Sequence, residues 1–165
     1  LDEILDYRNE KNEGKAETIQ NYLKQAYSVI SKEEAYISAD VYGLVGSVPD
    51  DMHLGQYWEA VSNYKDYIFP MMYPSHYANG TYGVAVPDAD PYNTLLQGAK
   101  DAVLRNENLE TPAQIRPWIQ SFTASWVKGY IKYGPEQVKA QIKALNDAGS
   151  EQYLRWSARN KYDIQ

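Results

Sequence analysis

Apolar positions along this chain alternate between two rhythms, helical spacing and short dense runs. Between Lys15 and Ser31 the residues Ile19, Leu23, Ala26 and Ile30 recur at helical intervals, which predicts a helix with one face on a core. The next segment, Ala35 to Gly43, reads AYISADVYG; short, rich in strand formers and closed by glycine, it predicts a buried strand. A polar loop holding Pro49, Asp50 and Asp51 leads to Leu54, Tyr57, Trp58 and Val61, a second amphipathic helix ending near Lys65. The run YIFPMMY, Tyr67 to Tyr73, has strand length, and Pro70 within it predicts a bulge or an irregular strand end. A loop from Pro74 to about Ala89 follows, punctuated by Gly80, Gly83 and Pro87.

Asp90-Pro91 is a helix start, because the Asp carboxylate accepts from free backbone N–H groups while proline at the first helical position forfeits no intrahelical bond. That helix runs through Leu95, Leu96, Ala99 and Val103. Ile115 to Phe122, IRPWIQSF, reads as a third strand. Gly134-Pro135 opens another helix with Val138, Ile142 and Leu145 on one face and Gly149 just past its end. Tyr153 to Ser157, YLRWS, is a fourth short strand. Strict alternation of helix and strand predicts an α/β fold with a parallel sheet and right-handed crossovers. Two architectures satisfy that order: a small open sheet covered on both faces, or half of a closed barrel.

Length narrows the choice of domain count. At 165 residues, 44% of them apolar, the chain supports one core, whereas a complete (β/α)8 barrel takes about 250 residues. Leu1 stands where an initiator methionine would, and polar helix-like text follows without a charged-then-apolar leader, so the sequence reads as a fragment or a processed piece. No stretch approaches the roughly 18 apolar residues of a membrane span. The net charge is −6, with no Lys/Arg run to meet a phosphate backbone, which argues against a nucleic-acid partner. The absence of cysteine excludes a disulfide scaffold, a thiolate zinc site and a cysteine nucleophile; it is compatible with a secreted or envelope-associated bacterial protein without establishing one.

Aromatic usage changes the picture further: 16 Tyr and 4 Trp against 2 Phe. Rings with a polar edge suit a surface that grips a sugar, and equally a Tyr-rich core and rim. In a parallel α/β fold the carboxyl ends of the strands form the functional rim. The predicted ends carry Asp40 and Tyr42; Tyr73, Ser75, His76 and Tyr77; Trp118 and Gln120; Trp156 and Asn160. Amides and acids for hydroxyls, with indole faces for the apolar side of a ring, are what a poly- or oligosaccharide needs. The competing reading makes Trp118 and Trp156 barrel filling, His76 a structural residue and Asp40 a structural acid. His53 and His76 are too few for a histidine-based zinc site, and Asp88 with Asp90 lacks EF-hand spacing, so no metal or other cofactor is expected. Asn79-Gly80-Thr81 reads as a turn before it reads as a glycosylation acceptor, and Ser75 lacks a nucleophile-elbow context.

The phrases SADVYG, DYIFPMMYPSHY, DPYNTLL, IRPWIQSF and LRWSARNKY resemble, in order and spacing, the second half of a bacterial family of glycosyl-hydrolase-like domains of unknown function. The resemblance covers nearly the whole chain, and PMMYPSHY followed by PWIQ is its specific part. It implies a TIM-like (β/α)8 barrel of which these are strands five to eight, with the first four strands, one bearing an acidic motif, upstream. Glycoside hydrolysis ordinarily uses two carboxyl groups across the scissile bond. Asp40 is the candidate for one of them, as proton donor, with its partner on the missing fourth strand. A non-catalytic carbohydrate-binding or envelope-tethered barrel, and a structural half-barrel docking on another chain, are the alternatives. Four strands alone would leave two open edges and an uncovered apolar face, so self-association or contact with the remainder of a parent chain is expected.

Overall fold

The computed structural model describes residues 13–162; the helix-like text at the start of the chain lies outside them. The elements follow the predicted order: α1 (Lys15–Ile30), β1 (Ser38–Tyr42), α2 (Trp58–Ser62), β2 (Tyr67–Met71), α3 (Pro91–Asn106), β3 (Gln114–Ile115), β4 (Trp118–Gln120), α4 (Pro135–Asp147) and β5 (Leu154–Trp156). Every strand pair is parallel, and β1, β2, β4 and β5 lie side by side in chain order, with β3 also on β2.

Alternation along the strands sorts the two faces of the sheet. Val41, Ile68 and Ile119 point to one side, where they are fully or almost fully buried with Leu23 of α1, Trp58 and Val61 of α2, Leu95, Ala99 and Ala102 of α3, and Val138, Ala144 and Leu145 of α4. All four helices therefore share one face. Their neighbours along the strands, Asp40, Tyr42, Phe69, Met71, Trp118 and Trp156, are half-buried or exposed on the other. A doubly wound open sheet has helices on both faces and reverses its strand order. Sequential parallel strands with a single helical layer are the wall of a TIM-like barrel.

Two predicted elements differ in extent. The second helix begins at Trp58, not Leu54, because Met52, His53 and Gly55 all adopt positive φ and cannot continue a helical turn; Leu54 between them is 42% exposed. The third strand is split. Arg116 N donates to Ile68 O and Met72 N donates to Trp118 O, both near 3 Å. The bond between them in the ladder needs an N–H at position 70, which proline lacks, so the strand divides into β3 and β4 while Pro70 stays inside β2, opposite Val41.

The helix starts behave as read. Asp90 caps α3, accepting from Asn93 N at 3.1 Å with Pro91 next, and Gln137 Oε1 accepts from Gly134 N at 2.9 Å at the start of α4. Gly80 sits at φ +87°, the left-handed conformation of the turn that Asn79-Gly80 predicts.

Candidate functional site

β1 and β4 place Asp40 and Trp118 on the uncovered face of the sheet, although 78 residues separate them. Trp118 Nε1 donates to Asp40 Oδ1 at 2.6 Å. Trp156, two residues beyond the partner of Trp118 on β5, meets the Trp118 ring edge-on, with centroids 5.9 Å apart and planes at 83°. One indole thus orients the carboxylate, and the other meets it edge-on along the same sheet face.

Tyr73 joins this group to the loop after β2. It is buried, and that burial, reinforced by the negative charge of Asp40 and by Tyr162, pushes its phenol well above the usual range, so it stays protonated and can only donate or accept as a hydroxyl. Its ring packs edge-on against His76 at 5.2 Å. Partial burial holds the His76 imidazole below its ordinary value, and Nδ1 lies 3.0 Å from Ser75 Oγ. Tyr42, Tyr73, His76 and Tyr77 line one pocket of about 380 Å³ together with Met52 and Met71. Gly43 at its edge admits no side chain, since a Cβ would lie 2.4 Å from the Tyr77 hydroxyl and 2.5 Å from Met71 O.

Two rim candidates do other work. Gln120 has no exposed surface: its Oε1 accepts from Ser75 N at 3.0 Å, and its Nε2 donates to Asp88 Oδ1 at 2.9 Å and to Phe122 O at 3.1 Å. With both ends of the amide occupied, Gln120 fixes the loops rather than facing a ligand. Tyr77 is likewise buried, its ring tilted against that of Tyr82 with centroids 5.6 Å apart, and burial with the neighbouring phenol pushes it upward. Asn160 lies in an exposed turn at φ 50°, its N–H bonded to Ser157 O at 2.9 Å, with no contact to Asp40 or Trp118 among the described hydrogen bonds.

Sequence reasoning missed the loop between β4 and α4. Phe122 packs edge-on to Tyr73 at 6.1 Å, and Trp126 stacks on Phe122 at 6.1 Å with planes at 18°. Trp126 carries no periodic signal; a lone tryptophan in a polar, glycine-containing loop was the available hint. Other acids with described partners are engaged away from Asp40: Asp66 accepts from Ile37 N, Asp88 joins Gln120, Glu59 pairs with Arg105, and Asp147 binds Lys143 and Tyr92. Among the described residues, no three His, Asp or Glu side chains gather as a metal site would require, and no helix is long and apolar enough to cross a membrane.

The family model described as "Putative glycosyl hydrolase domain" matches residues 1–162. The chain belongs to that family. Among solved structures it is similar to the glycoside hydrolase domain of PgaB (BpsB) from Bordetella bronchiseptica, with a TM-score of 0.60 and 17% identity. The match covers 87% of this chain and 38% of that one, and at this identity it is a likeness of fold. No curated protein sequence matches the chain.

Proposed function

We propose that the chain is strands five to eight of a glycoside-hydrolase barrel whose cleft binds a poly- or oligosaccharide, with Asp40 as one of the two carboxyl groups acting on the glycosidic bond. The observation that carries this reading is the Asp40–Trp118 hydrogen bond beside Trp156, on the sheet face opposite the helices. With Oδ1 held by the indole, Oδ2 is the oxygen left to exchange a proton. As proton donor, Asp40 gives that proton to the glycosidic oxygen as the bond to the anomeric carbon breaks, while a carboxylate from the strands preceding β1 attacks that carbon or activates water. Tyr73, Ser75 and His76 contribute hydroxyls and a neutral imidazole for sugar hydroxyls, and Trp156 with Tyr42 contributes ring faces.

The test is release of reducing ends from a panel of bacterial, fungal and plant polysaccharides by the parent protein and by its Asp40→Asn variant. A loss of about 10²–10⁴-fold is expected of a general acid. Retained turnover removes Asp40 from the mechanism. Binding without turnover in the unaltered parent selects the non-catalytic carbohydrate-binding barrel instead.

A further inference from the structure

Past β4 the chain leaves a large apolar side chain in solvent. Trp126 is 69% exposed, the second most exposed of the large hydrophobic residues described, and Tyr130 on the same loop is 45% exposed. The indole is not loose. It stacks on Phe122, Phe122 meets Tyr73, and Tyr73 lines the pocket with Tyr42 and His76, so rings run in contact from that pocket out to Trp126.

The loop beneath it is braced from within. Gln120 Nε2 donates to Phe122 O and to the buried Asp88, whose Oδ2 accepts from Ile131 N at 3.3 Å. The Tyr133 hydroxyl donates to Asp88 O at 3.0 Å, and Tyr133 N donates to Thr123 Oγ1 at 3.0 Å. Bonds from Val127 N to Ala124 O and from Tyr130 N to Val127 O close the turn that displays the indole. Holding an exposed ring at a fixed place forgoes the stabilisation that burial would bring, and it suits a surface that covers the ring only when a ligand arrives.

We infer that Trp126, backed by Phe122, is an outer stacking position for a sugar ring in the same cleft, and that it makes the protein select linear oligosaccharides of several units over short ones. The inference rests on the carbohydrate reading above. Its occupant follows from continuity: the ring series ends at the pocket lined by Tyr42, Tyr73 and His76, and a pyranose presents to an indole the flat apolar face and hydroxyl edge that suit an amphipathic ring. Trp126 is a binding residue in this account and takes no part in bond breaking.

The experiment measures affinity of the parent protein and of its Trp126→Ala and Trp126→Tyr variants by calorimetry. The probes are disaccharides and hexasaccharides derived from cellulose, chitin and mannan. The unaltered protein is expected to bind its preferred hexasaccharide about tenfold more tightly than the disaccharide, roughly 1.4 kcal/mol. Trp126→Ala should abolish that difference while keeping the disaccharide affinity, and Trp126→Tyr should restore most of it. An unchanged hexasaccharide-to-disaccharide ratio in Trp126→Ala overturns the platform and leaves the cleft standing, as does an equal weakening of both lengths. If the unaltered protein binds none of the hexasaccharides, the carbohydrate reading fails and the platform with it.

Discussion

The indole N–H of Trp118 and the carboxylate of Asp40 meet at 2.6 Å across the sheet, joining β4 to β1 over β2. A hydrogen bond contributes about 0.5–1.5 kcal/mol net, and here it also fixes which Asp40 oxygen is left for the proton. Trp118→Phe keeps an aromatic ring beside Trp156 and removes the donor. The expected outcome is a fall in the parent protein's kcat/KM of about tenfold or more, with thermal stability changed by less than the activity; both are read on the same preparation.

Gln120 ties the strand end to both neighbouring loops through Ser75 N, Asp88 and Phe122 O. Gln120→Leu preserves bulk and strands the half-buried Ser75 N–H and one oxygen of the buried Asp88 carboxylate. Destabilisation of about 2–3 kcal/mol is expected from denaturant titration, with faster amide exchange at Ser75 and Ile131.

Lys65 is 5% exposed, and its Nζ has no hydrogen-bond partner among the described residues. Burial lowers it from 10.5 to about 8. Between those values the unfolded chain binds the proton that the folded chain has released, so stability rises as pH goes from 8 toward 10. Above about pH 10 the buried Tyr73, Tyr77 and Tyr133 act in the opposite direction, because their phenols ionise first in the unfolded chain. Urea titrations at pH 7.5, 8.5 and 9.5 should show the rise, and Lys65→Met should be more stable at pH 7.5 and lose it.

Arg105 reaches from α3 to Glu59 of α2 and to the carbonyls of Val45 and Val48, with 14% and 20% of the two charged side chains accessible. Burial opposes ionisation of Glu59, yet the hydrogen bond and charge of Arg105 outweigh it and hold the carboxyl below its ordinary value. That stability is present above about pH 4.5 and is lost as pH falls through the folded value. Arg105→Ala should cost about 2–3 kcal/mol at pH 7. Glu59→Gln should flatten the acid limb of the stability profile.

The alternation of helices and parallel strands was legible because each element announces itself locally: Ile19 and Leu23 at helical spacing, Asp90-Pro91 and Gly134-Pro135 at helix starts, and dense apolar runs at Val41 and Ile68. Asp40, Trp118 and Trp156 were legible as rim candidates because strand alternation and the parallel rule are sufficient to place them on one face. What escaped depends on partners far along the chain. Nothing near Gln120 in sequence reveals that Asp88, 32 residues away, and Ser75, 45 away, consume its amide. The break in the third strand originates in a proline on the neighbouring strand. The early end of the predicted second helix lies in a turn of positive φ without the usual asparagine-glycine signature at Met52 and His53.

The central claim, that Asp40, Trp118 and Trp156 border a sugar-binding cleft, is open to direct measurement through the chain's four indole N–H resonances. In a ¹⁵N-correlated spectrum titrated with the hexasaccharides above, Trp118 and Trp156 should shift saturably. Trp58, fully buried with its indole bonded to Asn106 at 3.0 Å, should stay in place. Saturable movement of the two cleft indoles is the predicted result; stationary Trp118 and Trp156 in the presence of a hexasaccharide that the protein binds would contradict the account.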